Sequence, residues 1–165
     1  MIYYRKGDAL CPVIKTGIRV IPHVVNDSGK WGAGFTKGLS ERWEEPERFY
    51  RARYKYAKTN AKLGAVQWVF VEATLAVVNM VAQQGVRAFG RPKPIRYKSL
   101  ETCLECLAEG CRGLIGDGKE MAKKSVTVHM PRIGCGLAGG EWGVVGPLVE
   151  ETLWDLDVYV YDLDD

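Results

Sequence analysis

Two glycine-rich runs constrain this chain more than any other feature. They are Asn26-Asp27-Ser28-Gly29-Lys30-Trp31-Gly32-Ala33-Gly34 and Pro131-Arg132-Ile133-Gly134-Cys135-Gly136-Leu137-Ala138-Gly139-Gly140. Each follows an apolar stretch of strand length, Val20 to Val25 in one case and Ser125 to Met130 in the other, and each precedes a stretch of helical period. In an open α/β sheet that place is the carboxyl end of the strands, where ligands bind. Glycine lets the backbone come close to a phosphate, and a helix N-terminus offers free amides with a partial positive charge. A single loop of this kind is often only a turn. Two in one small chain point to a diphosphate-containing ligand held between them.

The rest of the chain supplies the frame. Met1 to Tyr4 reads as a short strand. Leu39, Trp43, Tyr50, Tyr54 and Ala57 recur near helical spacing, with Pro46 starting a second helix. Val66 to Val71 and Leu75 to Val81 read as two strands joined by a tight turn at Glu72-Ala73-Thr74. Gly85 to Pro94, with two prolines and two glycines, is a loop. Leu100, Cys103, Leu104, Leu107 and Cys111 form an apolar helical stripe. Val144, Val145, Leu148, Val149 and Thr152 mark a last helix, and Asp157 to Tyr161 alternates as a last strand. Strands and helices alternate throughout, which predicts an α/β domain with a mostly parallel sheet. No linker or repeat interrupts residues 1–165, so one domain is expected.

Composition narrows the class. At 47% hydrophobic and 26% charged residues, the chain is neither a disordered tail nor a fibrous protein. No apolar run approaches the ~20 residues that span a bilayer, and the N-terminus has no secretory h-region. A cytoplasmic protein without membrane contact is expected, as a monomer. Five cysteines, an odd number, read as reduced thiols. Cys103, Cys106 and Cys111 read as small hydrophobes rather than metal ligands, since no fourth ligand stands nearby. No metal and no cofactor are expected. The net charge of +3 is too small to imply nucleic acid. Its distribution is uneven: Gly85 to Lys98 holds five basic residues and no acid, whereas Glu150 to Asp165 holds seven acids and no base. The basic stretch forms a rim that could steer an anion, or simply a solvated loop.

Neither loop carries a common nucleotide fingerprint. The second ends in Glu141-Trp142 rather than the Lys-Ser/Thr of a Walker loop. Gly134 to Gly139 nominally meets Gly-x-Gly-x-x-Gly, yet lies near the end of the chain, where a Rossmann domain would not place it.

The runs from His23 to Gly34 and from Met130 to Trp142 do resemble the two ligand loops of macro domains. The branch they resemble holds yeast-type ADP-ribose 1″-phosphate phosphatases and the terminal ADP-ribose protein glycohydrolase. Gly7-Asp8 and Val158 to Leu163 extend the likeness over nearly the whole chain. It implies a three-layer α/β/α fold with a mixed, mostly parallel central sheet, and ADP-ribose or a derivative as ligand. It further implies that Asp8 accepts a hydrogen bond from the adenine amino group, with Ala9 beside it. Asn26 would contact the distal ribose, and Trp31, Gly32, Ala33 and Gly34 would line the distal ribose and phosphate. Ile133, Gly134, Cys135, Gly136, Leu137, Ala138 and Gly139 would wrap the diphosphate, and Tyr161 would lie near the adenosine.

Departures from the pattern bear on mechanism. The glycohydrolase branch places a lysine on the strand aligned with Val77 to Gln84, where this chain has Asn79, Ala82, Gln83 and Gln84. Nor is there an aspartate after Gly-Cys-Gly-Leu, where Ala138 stands, or at Thr36, where a second hydrolase branch has one. The phosphatase pattern remains, with His23 and Asp27 as its catalytic candidates. Histidine suits proton transfer near neutrality, and a positioned water with amide donors would complete phosphomonoester hydrolysis. A buried strand histidine and a turn-capping aspartate are the plain alternatives, and packing is the plain role of His129. At the level of function, a non-catalytic ADP-ribose-binding module and a hydrolase of acyl- or protein-linked ADP-ribose stay open. An RNA-binding role for the basic rim is more distant.

Overall fold

Leu75–Gln83 is the most apolar stretch of the chain, and every residue from Leu75 to Ala82 in it is buried. A strand of that kind needs cover on both faces, which a parallel sheet flanked by helices provides. In the computed structural model, which describes residues 1–56, 62–116 and 125–163, it is β4 of a six-stranded sheet. The elements run β1 (Ile2–Lys6), β2 (Ile18–Asn26), α1 (Phe35–Arg42), α2 (Glu45–Tyr56) and β3 (Val66–Glu72). After β4 come α3 (Tyr97–Ile115), β5 (Val126–Pro131), α4 (Trp142–Thr152) and β6 (Asp157–Asp162). The strand order is β1-β6-β5-β2-β4-β3. β3 is antiparallel to β4, as a two-residue connection requires, and every other pair is parallel. The mixed, mostly parallel α/β sandwich expected from the sequence is therefore what forms.

α3 and α4 cover one face, where Val78, Met80, Val128, Met130, Val158 and Val160 join the main core. α1 and α2 cover the β2–β4 half of the other face through Leu39 and Tyr50, against Ile21, Val77 and Val81. Over β5 and β6 that second face carries stacked rings instead. Tyr159 lies between Tyr3 and His129, 5.0 Å from each ring centre, and Val13 of the β1–β2 connection reaches the Tyr161 hydroxyl. Pro46 stands in the first turn of α2, where its missing amide costs nothing. Ala57 of the predicted helical stripe lies outside the described residues, as do the acidic Asp164 and Asp165. No described helix is long and apolar enough to cross a membrane.

Pro22 sits in the middle of β2, an unusual place for a residue without an amide. The ladder to β4 runs on through Pro22 and Val78, but the ladder to β5 stops at Val20. From there β2 and β5 part company. The chain winds away from this pair in both directions, so the crevice beyond their carboxyl ends is the switch point of the sheet.

Candidate functional site

A cavity of about 760 Å³ fills that crevice, well within the ~300–1,000 Å³ of small-molecule sites. Most of its wall comes from the two glycine loops. They meet where a Cβ on Gly34 would touch Leu137 Cδ1 at 3.3 Å.

The first loop is tied together by Asn26. Its Oδ1 accepts from the amides of Ser28 (3.0 Å) and Lys30 (3.1 Å) and from the Tyr50 hydroxyl (2.8 Å), while Nδ2 donates to the Lys30 carbonyl at 2.6 Å. The sequence implied a ribose contact for this amide; in the fold Asn26 lies on the cavity wall and its amide shapes the loop. Trp31 packs on Tyr50 and His23 and donates to Ser40 Oγ. Thr36 Oγ1 holds the Gly32 amide at 3.1 Å and donates to Ala33 O. The loop ends at Gly34, which precedes α1 with φ +60° and no side-chain cap. Among the described residues the amides of Ala33 and Gly34 have no acceptor.

The second loop is closed by its own backbone. Gly140 N donates to Gly134 O at 2.7 Å, so a Cβ on Gly140 would lie 2.5 Å from that carbonyl. Gly134 takes φ +70° with Ile95 against it. Gly136 does not take a positive φ, and a Cβ there would meet nothing within 4 Å. The amides of Gly136, Leu137 and Ala138 have no acceptor among the described residues. Free amides therefore come from both loops that enclose the cavity, the arrangement that binds phosphate oxygens.

His23 lies at the floor of the cavity, 2% exposed. Its Nε2 is 2.6 Å from Asn79 Oδ1. Because Asn79 Nδ2 already donates to Pro46 O and Gln67 Oε1, the shared proton is assigned to the histidine. Nδ1 is then an acceptor, and it has no partner. Burial pulls the His23 pKa down to about 4, against the smaller pull of Asn79. The ring is neutral at pH 7. Its free Nδ1 lone pair can accept a hydrogen bond from a water, and so low a pKa makes it a weak base.

Several expected contacts lie elsewhere. Asp27 is not part of the cavity wall. Its Oδ1 accepts from Gly85 N at 2.8 Å, and its own amide donates to Gln83 O, so it clasps the first loop to the start of the loop after β4. Asp8 caps its own turn through Leu10 N and lies 3.9 Å from Arg42; with the buried Ala9 it stands outside this cavity. Tyr161, expected near the adenosine, does not line this cavity and is packed into the fold. It is 3% exposed, and its hydroxyl bridges His129 Nδ1 at 2.8 Å and Val13 N at 2.9 Å. Gly139 and Cys135 also stand behind the wall, and burial raises the Cys135 thiol pKa against the pull of Arg132. Burial likewise pushes Cys103 and Cys111 up to about 12, whereas Cys106 is exposed rather than part of the core.

Trp31, Gly32, Ala33, Gly34, Ile133, Gly134, Gly136, Leu137 and Ala138 do line the cavity. Sequence reasoning missed Lys30, Phe35, Gln83, Val86, Arg87 and Arg132 there. The basic run after β4 was the visible signal for Arg87. Arg132 is bound twice to Asp162, at 2.6 and 2.9 Å, and lies over the Tyr4 and Trp142 rings.

No protein-family model and no curated protein matches the chain. Solved structures do. A protein of unknown function from Bacteroides thetaiotaomicron is 41% identical, with 98% of each chain covered and a TM-score of 0.86. The DarTG protein of Thermosipho africanus, solved in complex with ADP-ribose, shares the fold at 21% identity and TM-score 0.64, over 89% of this chain and 38% of its own. A macrodomain protein from Streptomyces coelicolor is 41% identical, with 98% of this chain and 99% of that one covered and a TM-score of 0.80. With that identity over both full lengths, and with the glycine loops walling one cavity, the chain belongs to the macrodomain family.

Proposed function

We propose that this macrodomain binds ADP-ribose or a close derivative between its two glycine loops. The observation that carries the reading is the set of unpartnered amides, from Ala33 and Gly34 on one side and Gly136 to Ala138 on the other, around one acid-free cavity. A diphosphate suits two facing sets of amides better than one phosphate does. The bound ADP-ribose of the Thermosipho relative is consistent with this choice of ligand. A calorimetric titration with ADP-ribose tests it: micromolar binding, about −8 kcal/mol, is expected. No binding at millimolar ligand overturns the reading.

The reaction we propose is hydrolysis of ADP-ribose 1″-phosphate, the activity of the yeast-type branch. Water adds to phosphorus, the bond from phosphorus to the 1″ oxygen breaks, and inorganic phosphate and ADP-ribose leave. The lone pair on His23 Nδ1 would orient the attacking water; one of its protons ends on the 1″ oxygen and the other stays with phosphate, while donors of the cavity wall stabilise the charge on the phosphoryl oxygens. Asp27 serves by clasping the first loop to the segment after β4. A binding module without turnover is the alternative, and release of phosphate from ADP-ribose 1″-phosphate separates the two.

A further inference from the structure

The strand order sets the second glycine loop, the first, and the segment after β4 side by side above β5, β2 and β4. The amides described above occupy the β5 and β2 positions. Nothing yet accounts for the β4 end, where Lys30, Gln83, Val86 and Arg87 complete the cavity wall. This end is cationic and built. Lys30 is held at its backbone by both ends of the Asn26 amide. Gly85, two residues before Arg87, is held by Asp27 Oδ1 at 2.8 Å, and its carbonyl accepts from Gln83 Nε2 at 3.0 Å. Of the neighbouring cations, Lys93 pairs with Glu141, Lys98 with Glu101, and Arg96 donates to Gln84 and to the carbonyls of Lys93, Pro94 and Ile95, whereas Arg91 has no ion-pair partner among the described residues but does not line the cavity. Lys30 and Arg87 have no ion-pair partner among the described residues, and no Asp or Glu lines the cavity. Two exposed cations left uncompensated on a wall whose backbone is held, beyond a diphosphate site, favour a further negative charge there.

We infer that Lys30 and Arg87 form a separate anion subsite that takes a phosphate carried on the far ribose of the ligand, and so select the phosphorylated form over plain ADP-ribose. The inference rests on the reading of the cavity as an ADP-ribose site and names the residues that set its specificity. Affinities for ADP-ribose and ADP-ribose 1″-phosphate are compared in the His23→Ala background, which keeps the ester intact during titration. The phosphorylated form should bind about tenfold tighter, as one charge-assisted contact allows. Added Arg87→Gln should reduce that preference to below about threefold, Lys30→Gln should reduce it less, and high salt should shrink it in the parent. Arg91→Gln, in the same loop but away from the wall, should leave the preference intact. Equal binding of the two ligands, or a preference that survives Arg87→Gln, overturns the subsite and leaves the ADP-ribose reading standing. Failure to bind either ligand overturns both.

Discussion

His23 and His129 invite comparison, because each sits on a central strand just before a glycine loop. Both are buried, and in both burial lowers the pKa to about 4. Both are neutral at pH 7, His129 with the added push of Arg19 and Lys15 and His23 through burial alone. Their hydrogen bonds separate them. His129 has both nitrogens engaged, Nε2 with Thr127 Oγ1 at 2.9 Å and Nδ1 with the Tyr161 hydroxyl, and its ring stacks on Tyr159 at 10°. His23 has one nitrogen engaged and one left over, and it alone of the two lines the cavity. A perturbed pKa therefore does not single out a working group here. Unspent hydrogen-bonding capacity at a cavity is what places the proposed chemistry on His23.

The largest effect that could break this contrast is on turnover. His23→Ala should lower phosphate release from ADP-ribose 1″-phosphate by ~10²–10⁴-fold, with ADP-ribose affinity changed far less. The Asn79 amide keeps Pro46 and Gln67 as partners, so the fold should survive. Normal turnover in this variant removes His23 from the mechanism. Asn26→Ala should instead weaken binding and turnover together, because it unties the whole first loop.

His129→Ala should act on stability alone, costing about 3 kcal/mol through the cavity and the unpaired Tyr161 and Thr127 hydroxyls. Denaturant midpoints check this, and loss of activity per folded molecule would contradict it. The same two histidines set an acid limit. Each has a folded pKa of about 4 against an ordinary value of 6.5, so below pH 6.5 the unfolded chain takes up protons that the folded chain refuses. Stability is therefore full above about pH 6.5 and falls toward pH 4, by up to about 3 kcal/mol per histidine. His129→Gln should flatten part of that slope. An unchanged slope would mean that the ring protonates without cost.

The smallest expected effect sharpens the comparison between the loops themselves. The first is held by a side chain, Asn26, and the second by its own backbone. Gly136→Val fills open space, so it should leave the fold intact while the new side chain occupies the cavity, weakening ADP-ribose binding by at least about tenfold, or ~1.4 kcal/mol. Unchanged affinity would show that the second loop is a turn and no ligand wall.

Much of the frame was legible in the residues. The apolar run of β4, the hairpin turn, the helical stripe of α3 and the two glycine loops are local patterns, set by backbone preference and periodicity, and they hold in the folded chain. The loops could be recognised as a candidate ligand site because glycine spacing is written in order along the chain. What each polar side chain does there was not legible. Along the chain Asn26 and Tyr161 read as ligand contacts and Asp27 as a catalytic candidate; in the fold they hydrogen-bond to Lys30, His129 and Gly85, the last two partners lying 32 and 58 residues away. Arg87 enters the wall because β4 runs beside β2, and His23 is left an acceptor because Asn79 on that same strand takes its other nitrogen. Periodicity reports which face a residue prefers. Which hydrogen bonds remain for a ligand depends on every neighbour that packing supplies, and only the tertiary structure decides that.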